Sequence, residues 1–139
     1  MQTVKFESGL DTFTANVTLK EIIRGEKAWE SIREANMFND EAGAGFEYIL
    51  AKIDFKLTNA PAGKKYELSS YNFNLISDKG KAYDASYLVA PDPALDTELY
   101  KDASNEGYAV FKVATNDKAP KIAFGRKYDG TGGIWFKAY

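Results

Sequence analysis

Between Phe46 and Asn59 the chain alternates with a period of two. Ile49, Ala51, Ile53, Phe55 and Leu57 fall on one parity, while Lys52, Asp54, Lys56 and Thr58 fall on the other. Alternation held over this length marks a long strand with one face in a core and the other in water. Tyr48 and Leu50 stand on the wet parity at the start of the strand, which predicts a separate cover over that end. Asn59-Ala60-Pro61 stops the strand, because proline cannot donate to a ladder and asparagine tolerates turn conformations. So long a strand needs partners in its own sheet and a second layer over its apolar face. Layered β architecture follows from this stretch alone.

The rest of the chain fits that frame. Asp11 to Ile23 repeats the pattern, with Phe13, Ala15, Val17, Leu19 and Ile23 set against Thr12, Thr14, Asn16, Thr18 and Lys20; Val4 to Phe6 reads as a short edge strand. From Glu26 to Asn36 the apolar spacing changes to three and four (Ala28, Trp29, Ile32, Ala35), which predicts a short amphipathic helix closing an open end of the fold. Phe38 to Gly45 is loop by composition. Leu68 to Ser77 reads as a strand with Tyr71, Phe73 and Leu75 in alternation, followed by a turn at Ser77–Lys81 in which Gly80 supplies a positive φ, and a returning strand Ala82 to Val89. Pro91 to Ser104 has no pattern and reads as a loop crossing between sheets. Strands at Gly107–Ala114, Lys121–Gly125 and Gly133–Ala138, with a loop at Arg126–Gly132, complete the chain. The expectation is one all-β domain over residues 1–139, an antiparallel β-sandwich of about seven strands with one short helix near residues 26–36; a small barrel is the rival topology.

The residue chemistry excludes more than it selects. There is no cysteine and no histidine. That removes disulfides, thiolate nucleophiles, Ser-His-Asp triads and the commonest metal ligand. Lys and Arg total 18 against 20 for Asp and Glu, with the signs interspersed, so nothing resembles the basic stripe of a nucleic-acid binder. No apolar run approaches the ~20 residues of a membrane-spanning helix. Gly43-Ala44-Gly45 precedes a strand and so lacks the helix N-terminus that makes glycine loops bind phosphate. No catalytic, cofactor-binding or metal-binding residue is expected.

Acidic residues gather at Asp40 and Glu41 and again at Asp92, Asp96, Glu98, Asp102 and Glu106, without calcium-loop spacing. Nothing sets two of them across a sugar-binding cleft. A carboxylate-only carbohydrate-active enzyme and a calcium-stabilised adhesion module are therefore the alternatives to a non-catalytic binding or structural module. Trp135 and Tyr139 lie on the parity opposite Ile134 and Phe136; Trp29 of the helix is the expected cover for that face, and the alternative is an aromatic platform for sugar or peptide made of Trp29, Trp135, Tyr87, Tyr100 and Tyr139. The segment expected to meet a partner is Tyr87 to Tyr100, through Tyr87, Leu88, Pro91, Pro93, Leu95, Leu99 and Tyr100: its prolines stiffen the loop and lower the entropy lost on binding. The competing reading has Leu88, Leu95 and Leu99 capping the core.

The run GEKAWESIREANMFNDEAGAGFEYILAKIDFKLTN resembles a family of Ig-like domains found in secreted proteins and lipoproteins of Gram-positive bacteria, whose members often carry the label "telomeric repeat-binding factor". Gly25, Ala28, Asn36, Asn39, Gly45, Glu47 and Tyr48 match the family pattern in order, and SDKGKAY, ASNEGYAVFKV and GGIWFKAY resemble its later strands. Ala42 and Ala44 stand where many relatives have proline, and KDASNEG lacks the glycine that relatives carry before the penultimate-strand motif. The resemblance covers residues 11–139 and supplies no catalytic residue. It implies an Ig-like sandwich, a location outside the cell or at its surface as part of a membrane-anchored lipoprotein, and a partner that is another surface protein or an envelope component. The opening MQTVKFESGL has neither a basic region nor an apolar core. A leader and lipid-bearing cysteine upstream, or else a complete cytosolic protein, are the two expectations that remain.

Overall fold

The computed structural model describes residues 1–139 throughout. In chain order it contains β1 (Gln2–Ser8), β2 (Asp11–Arg24), α1 (Glu26–Ala35), β3 (Phe46–Asn59), β4 (Tyr66–Leu68), β5 (Asn74–Ile76), β6 (Thr97–Leu99), β7 (Ser104–Ala114), β8 (Lys121–Phe124) and β9 (Ile134–Lys137). One layer is a four-stranded sheet in the order β1-β2-β3-β7. The other is made of the pair β4-β6 and the three-stranded sheet β5-β8-β9. Every strand ladder is antiparallel. The fold is an all-β sandwich with one short helix.

The alternation of β3 does what its pattern demands. Ile49, Ala51, Ile53, Phe55 and Leu57 are buried in the space between the layers. There Phe55 meets Phe124 edge-on at 5.4 Å and stacks on Tyr66 at 5.7 Å, while Phe6 packs against both Tyr66 and Phe124 at 5.0 Å. Such aromatic pairs add to the area they bury, so they fix the spacing of the two layers.

Four sequence readings need correction. First, Ile23 does not share a face with Phe13, Ala15 and Val17. Leu19 pairs with Ile53 and Glu21 with Lys52, which leaves Lys20 as the extra residue of a bulge. The bulge reverses the parity, so Ile22 turns to the main core and Ile23 to the opposite face.

Second, the helix does not close an end of the sandwich. It lies on the outer face of the four-stranded sheet, where Ala28 and Ile32 bury Tyr48 and Leu50. Those are the two residues whose parity called for a cover. Ala35 is exposed and takes no part. Trp29 stacks on Tyr48 and does not cover Trp135. Trp135 instead has the Arg126 guanidinium 5.6 Å from its ring, with its Nε1–H donating to the Gly132 carbonyl at 3.3 Å.

Third, Leu68 to Ser77 is not one strand. Ser69 accepts a hydrogen bond at Oγ from the Tyr71 N–H (3.2 Å) and opens a single 3-10 turn, Ser70–Asn72. The turn carries the chain from β4, paired with β6, to β5, paired with β8. Tyr71 is consequently exposed and not part of a core alternation.

Fourth, Ala82 to Val89 returns as a strand only at Ala82, which bridges Ile76; conversely, the stretch read as pure loop contains β6.

Candidate functional site

The glycine- and asparagine-marked run from Gly25 to Tyr48 is a clamp for the helix. Gly25 has φ +82°, and its N–H donates to the Tyr48 carbonyl at 3.0 Å. A Cβ at Gly25 would press on the Glu47 carboxylate, which itself pairs with Arg24 at 3.6 Å. The Tyr48 hydroxyl donates to the Asp40 carbonyl at 2.8 Å. Burial, reinforced by the Asp40 charge, raises the pKa of that phenol, so it stays a neutral donor. Asn39 binds two ways: its Nδ2 donates to the carbonyls of Ile32 (3.0 Å) and Val89 (2.9 Å), and its Oδ1 accepts the Val89 N–H (3.0 Å). These groups hold the helix and its flanking loop to the sheet.

The segment from Ala82 to Asp96 is a long excursion tied down along its length. The Tyr83 hydroxyl donates to the buried Asp117 carboxylate at 2.7 Å and accepts the Ala114 N–H at 3.3 Å; Asp117 also accepts the N–H groups of Asp78 and Ala119. Val89 is held by Asn39, as above. The Pro93 carbonyl accepts the Tyr108 N–H at 3.0 Å, and Asn105 Nδ2 donates to the carbonyls of Ala94 and Leu95. Gly107 permits this close approach, since a Cβ there would collide with the main chain of Ala94 and Leu95. Asp96 accepts the Ser70 N–H at 2.8 Å and joins the excursion to the 3-10 turn. A loop this well anchored presents its free side chains in a fixed arrangement.

The residues expected to meet a partner divide by environment. Leu95 and Leu99 are buried in the main core, and Leu88 packs on the helix cluster beside Tyr108 and Val110. Pro91 is half-buried and Pro93 exposed. Tyr87 is 80% exposed and Tyr100 57% exposed. The excursion does not bring these two tyrosines together. The partner of Tyr87 is instead Tyr71, itself 47% exposed, at a ring separation of 5.3 Å and a 40° tilt. Sequence reading set Tyr71 in alternation with Phe73 and Leu75 on one strand; Ser69, which caps the turn, was the available signal for the opposite. Tyr71 and Tyr87 thus form a tilted aromatic surface held by the tethered excursion.

The acids of this region serve separate partners: Asp96 the Ser70 amide, Glu98 the Lys65 ammonium and Glu106 the Lys52 ammonium. No helix is long and apolar enough to cross a membrane.

No protein-family model and no curated protein matches the sequence. In three dimensions the chain is similar to the crystal structure of a candidate lipoprotein, ycdA, from the Gram-positive bacterium Bacillus subtilis. The TM-score is 0.57 at 12% identity, over 88% of this chain and 35% of that one. The chain therefore spans about a third of that protein's length, and the likeness is one of fold. The Ig-like family resemblance has no matching family model behind it.

Proposed function

We propose that this domain is a non-catalytic binding or structural module of the Ig-like kind, displayed outside the cytoplasmic membrane as the soluble part of a cell-surface lipoprotein. Its contact surface is the Tyr71–Tyr87 pair, and its partner is another surface protein or an envelope component. The observation that carries the reading is the tethered excursion. Residues 82–96 are fixed by hydrogen bonds with Asn39, Asn105, Tyr108 and Asp117, yet Tyr87 within them stands in solvent against Tyr71. Exposed aromatic side chains on a pre-ordered loop give contact area with little entropy lost on binding. The shared fold with a candidate lipoprotein supports the location.

Two measurements test the reading. The native gene, with all of its upstream sequence, is expressed in its own host and fractionated after labelling with palmitate. A labelled, protease-accessible protein in the membrane fraction is the expected result, and an unlabelled protein in the cytosol overturns the location. Isolated cell envelopes are then incubated with the 139-residue chain. Co-sedimentation should fall at least about tenfold, ~1.4 kcal/mol, on Tyr71→Ala with Tyr87→Ala; equal retention of the variant would defeat the proposed contact surface.

A further inference from the structure

Strand β1 is an edge of the four-stranded sheet, and its register shows which of its main-chain groups are free. Ser8 pairs with Asp11 across the two-residue turn Gly9-Leu10, so Ser8, Phe6, Val4 and Gln2 are the residues that exchange hydrogen bonds with β2. Thr3, Lys5 and Glu7 are the alternate positions, whose N–H and C=O groups point away from β2. The carbonyl of Thr14, opposite Lys5, confirms the parity, because it faces β3 and accepts the Thr58 hydroxyl at 3.2 Å. Beside this edge lies an open hollow of about 980 Å³, bounded by Lys5, Glu7 and Thr12 on one side and by Arg126 to Asp129 on the other. No main-chain hydrogen bond crosses it.

We propose that a second copy of this chain occupies the edge, forming a two-fold dimer in which β1 pairs antiparallel with β1 and the sheets join into one. The argument is self-complementarity. Lys5 and Glu7 are two residues apart, on one face of the strand and on the parity with free main-chain groups. Antiparallel pairing centred on Phe6 sets Lys5 opposite Glu7 of the second copy and Glu7 opposite its Lys5. Both are then hydrogen-bonded pairs, and both are cross-strand ion pairs. Sliding the strands by two residues sets Lys5 against Lys5, so like charge selects the register.

A second observation points the same way. In this register the turn residue Leu10, fully exposed in the monomer, comes opposite Gln2 of the other copy. Gln2 Nε2 donates to the carbonyl of Trp135 at 2.7 Å, and the Trp135 side chain is 38% exposed. Leu10, solvated in the monomer, is thus brought beside Gln2 and the Trp135 main chain that Gln2 holds, once from each copy. An isologous interface requires such reciprocity.

The test is sedimentation velocity of the 139-residue chain at concentrations up to about 0.5 mM, where even a weak pair of ~0.1 mM would be visible. Wild type should shift from monomer to dimer as concentration rises. Lys5→Glu alone and Glu7→Lys alone should each weaken association at least about tenfold, equivalent to ~1.4 kcal/mol. Combining Lys5→Glu with Glu7→Lys should restore it, since the swapped edge is again its own complement. Lys5→Pro removes an N–H that β2 does not use, so it should abolish the dimer while leaving the fold intact. A wild type monomeric at every concentration, or a charge swap that fails to restore what the single variants lose, overturns the proposal. If Lys5→Pro does not fold, the charge-swap series decides alone.

Discussion

Asn39→Ala is the sharpest test of the clamp that holds the helix and the tethered excursion to the sheet. One side chain there makes three hydrogen bonds, donating to the Ile32 and Val89 carbonyls and accepting the Val89 N–H. Each is worth about 1 kcal/mol net, and the Ile32 carbonyl, in the last turn of α1, would keep only the long 3.3 Å bond from the Asn36 N–H. Truncation should therefore cost about 2–3 kcal/mol. At ~3–4 °C per kcal/mol for a domain of this size, Tm should fall by about 6–12 °C. Asn39→Asp should be at least as damaging, because it keeps the acceptor but points a carboxylate at two carbonyl oxygens. Urea and thermal unfolding followed by circular dichroism give the magnitude. Amide hydrogen exchange gives the place: protection should drop first at Val89 and along Glu26–Ala35, with the centre of β3 unchanged. A loss below about 0.5 kcal/mol, the level of an ordinary surface change, would refute the clamp.

Two further outcomes follow from burial. Tyr66 lies in the aromatic core, and desolvation holds its phenol above the ordinary value of 10.0. The unfolded chain loses this proton first, so the contribution is complete below about pH 10 and declines by up to ~1.4 kcal/mol per pH unit above it. Tyr66→Phe should flatten that alkaline decline in the urea midpoint, at a cost near neutrality of about 1 kcal/mol for the lost bond to Asn72 Oδ1; an unchanged alkaline slope would show that Tyr66 is not its source. Tyr87→Ala with Tyr100→Ala should change stability by less than about 0.5 kcal/mol, since both rings are exposed. A loss above about 2 kcal/mol by chemical denaturation would put these rings in a core.

What could be read from the chain depended on length of pattern. β2, β3 and β7 are 14, 14 and 11 residues long and hold period two over most of that length, enough to rise above chance, and the expected strands Asp11–Ile23, Phe46–Asn59 and Gly107–Ala114 fall within them. β4, β5 and β6 are three residues each, too short for any periodicity to register. Tyr71-x-Phe73-x-Leu75 imitates a strand face, but its first member sits in a 3-10 turn opened by Ser69, and local capping outweighed the alternation. The proposed contact surface was only half legible for the same reason. Tyr87 could be picked out from its loop, whereas its neighbour Tyr71 comes from a segment whose apparent pattern hid it.

The bulge at Lys20 and the anomalous parity of Tyr48 and Leu50 are two sides of one requirement. α1 begins immediately after β2, with only Gly25 between them, so the helix has to fold back onto a face of the same sheet. The inner face is filled by the second layer, and only the outer face is open. That face must then be apolar where the helix lands, at the last residues of β2 and the first of β3. β3 satisfies this by carrying Tyr48 and Leu50 on its outward parity. β2, whose strict alternation would set Ile23 inward, satisfies it by inserting one residue and reversing its parity, which brings Ile23 opposite Leu50. Without the bulge, Lys20, Ile22 and Arg24 would share the outward parity, and the floor beneath α1 would be flanked by two charges. These two irregularities thus have a common cause in the helix they support.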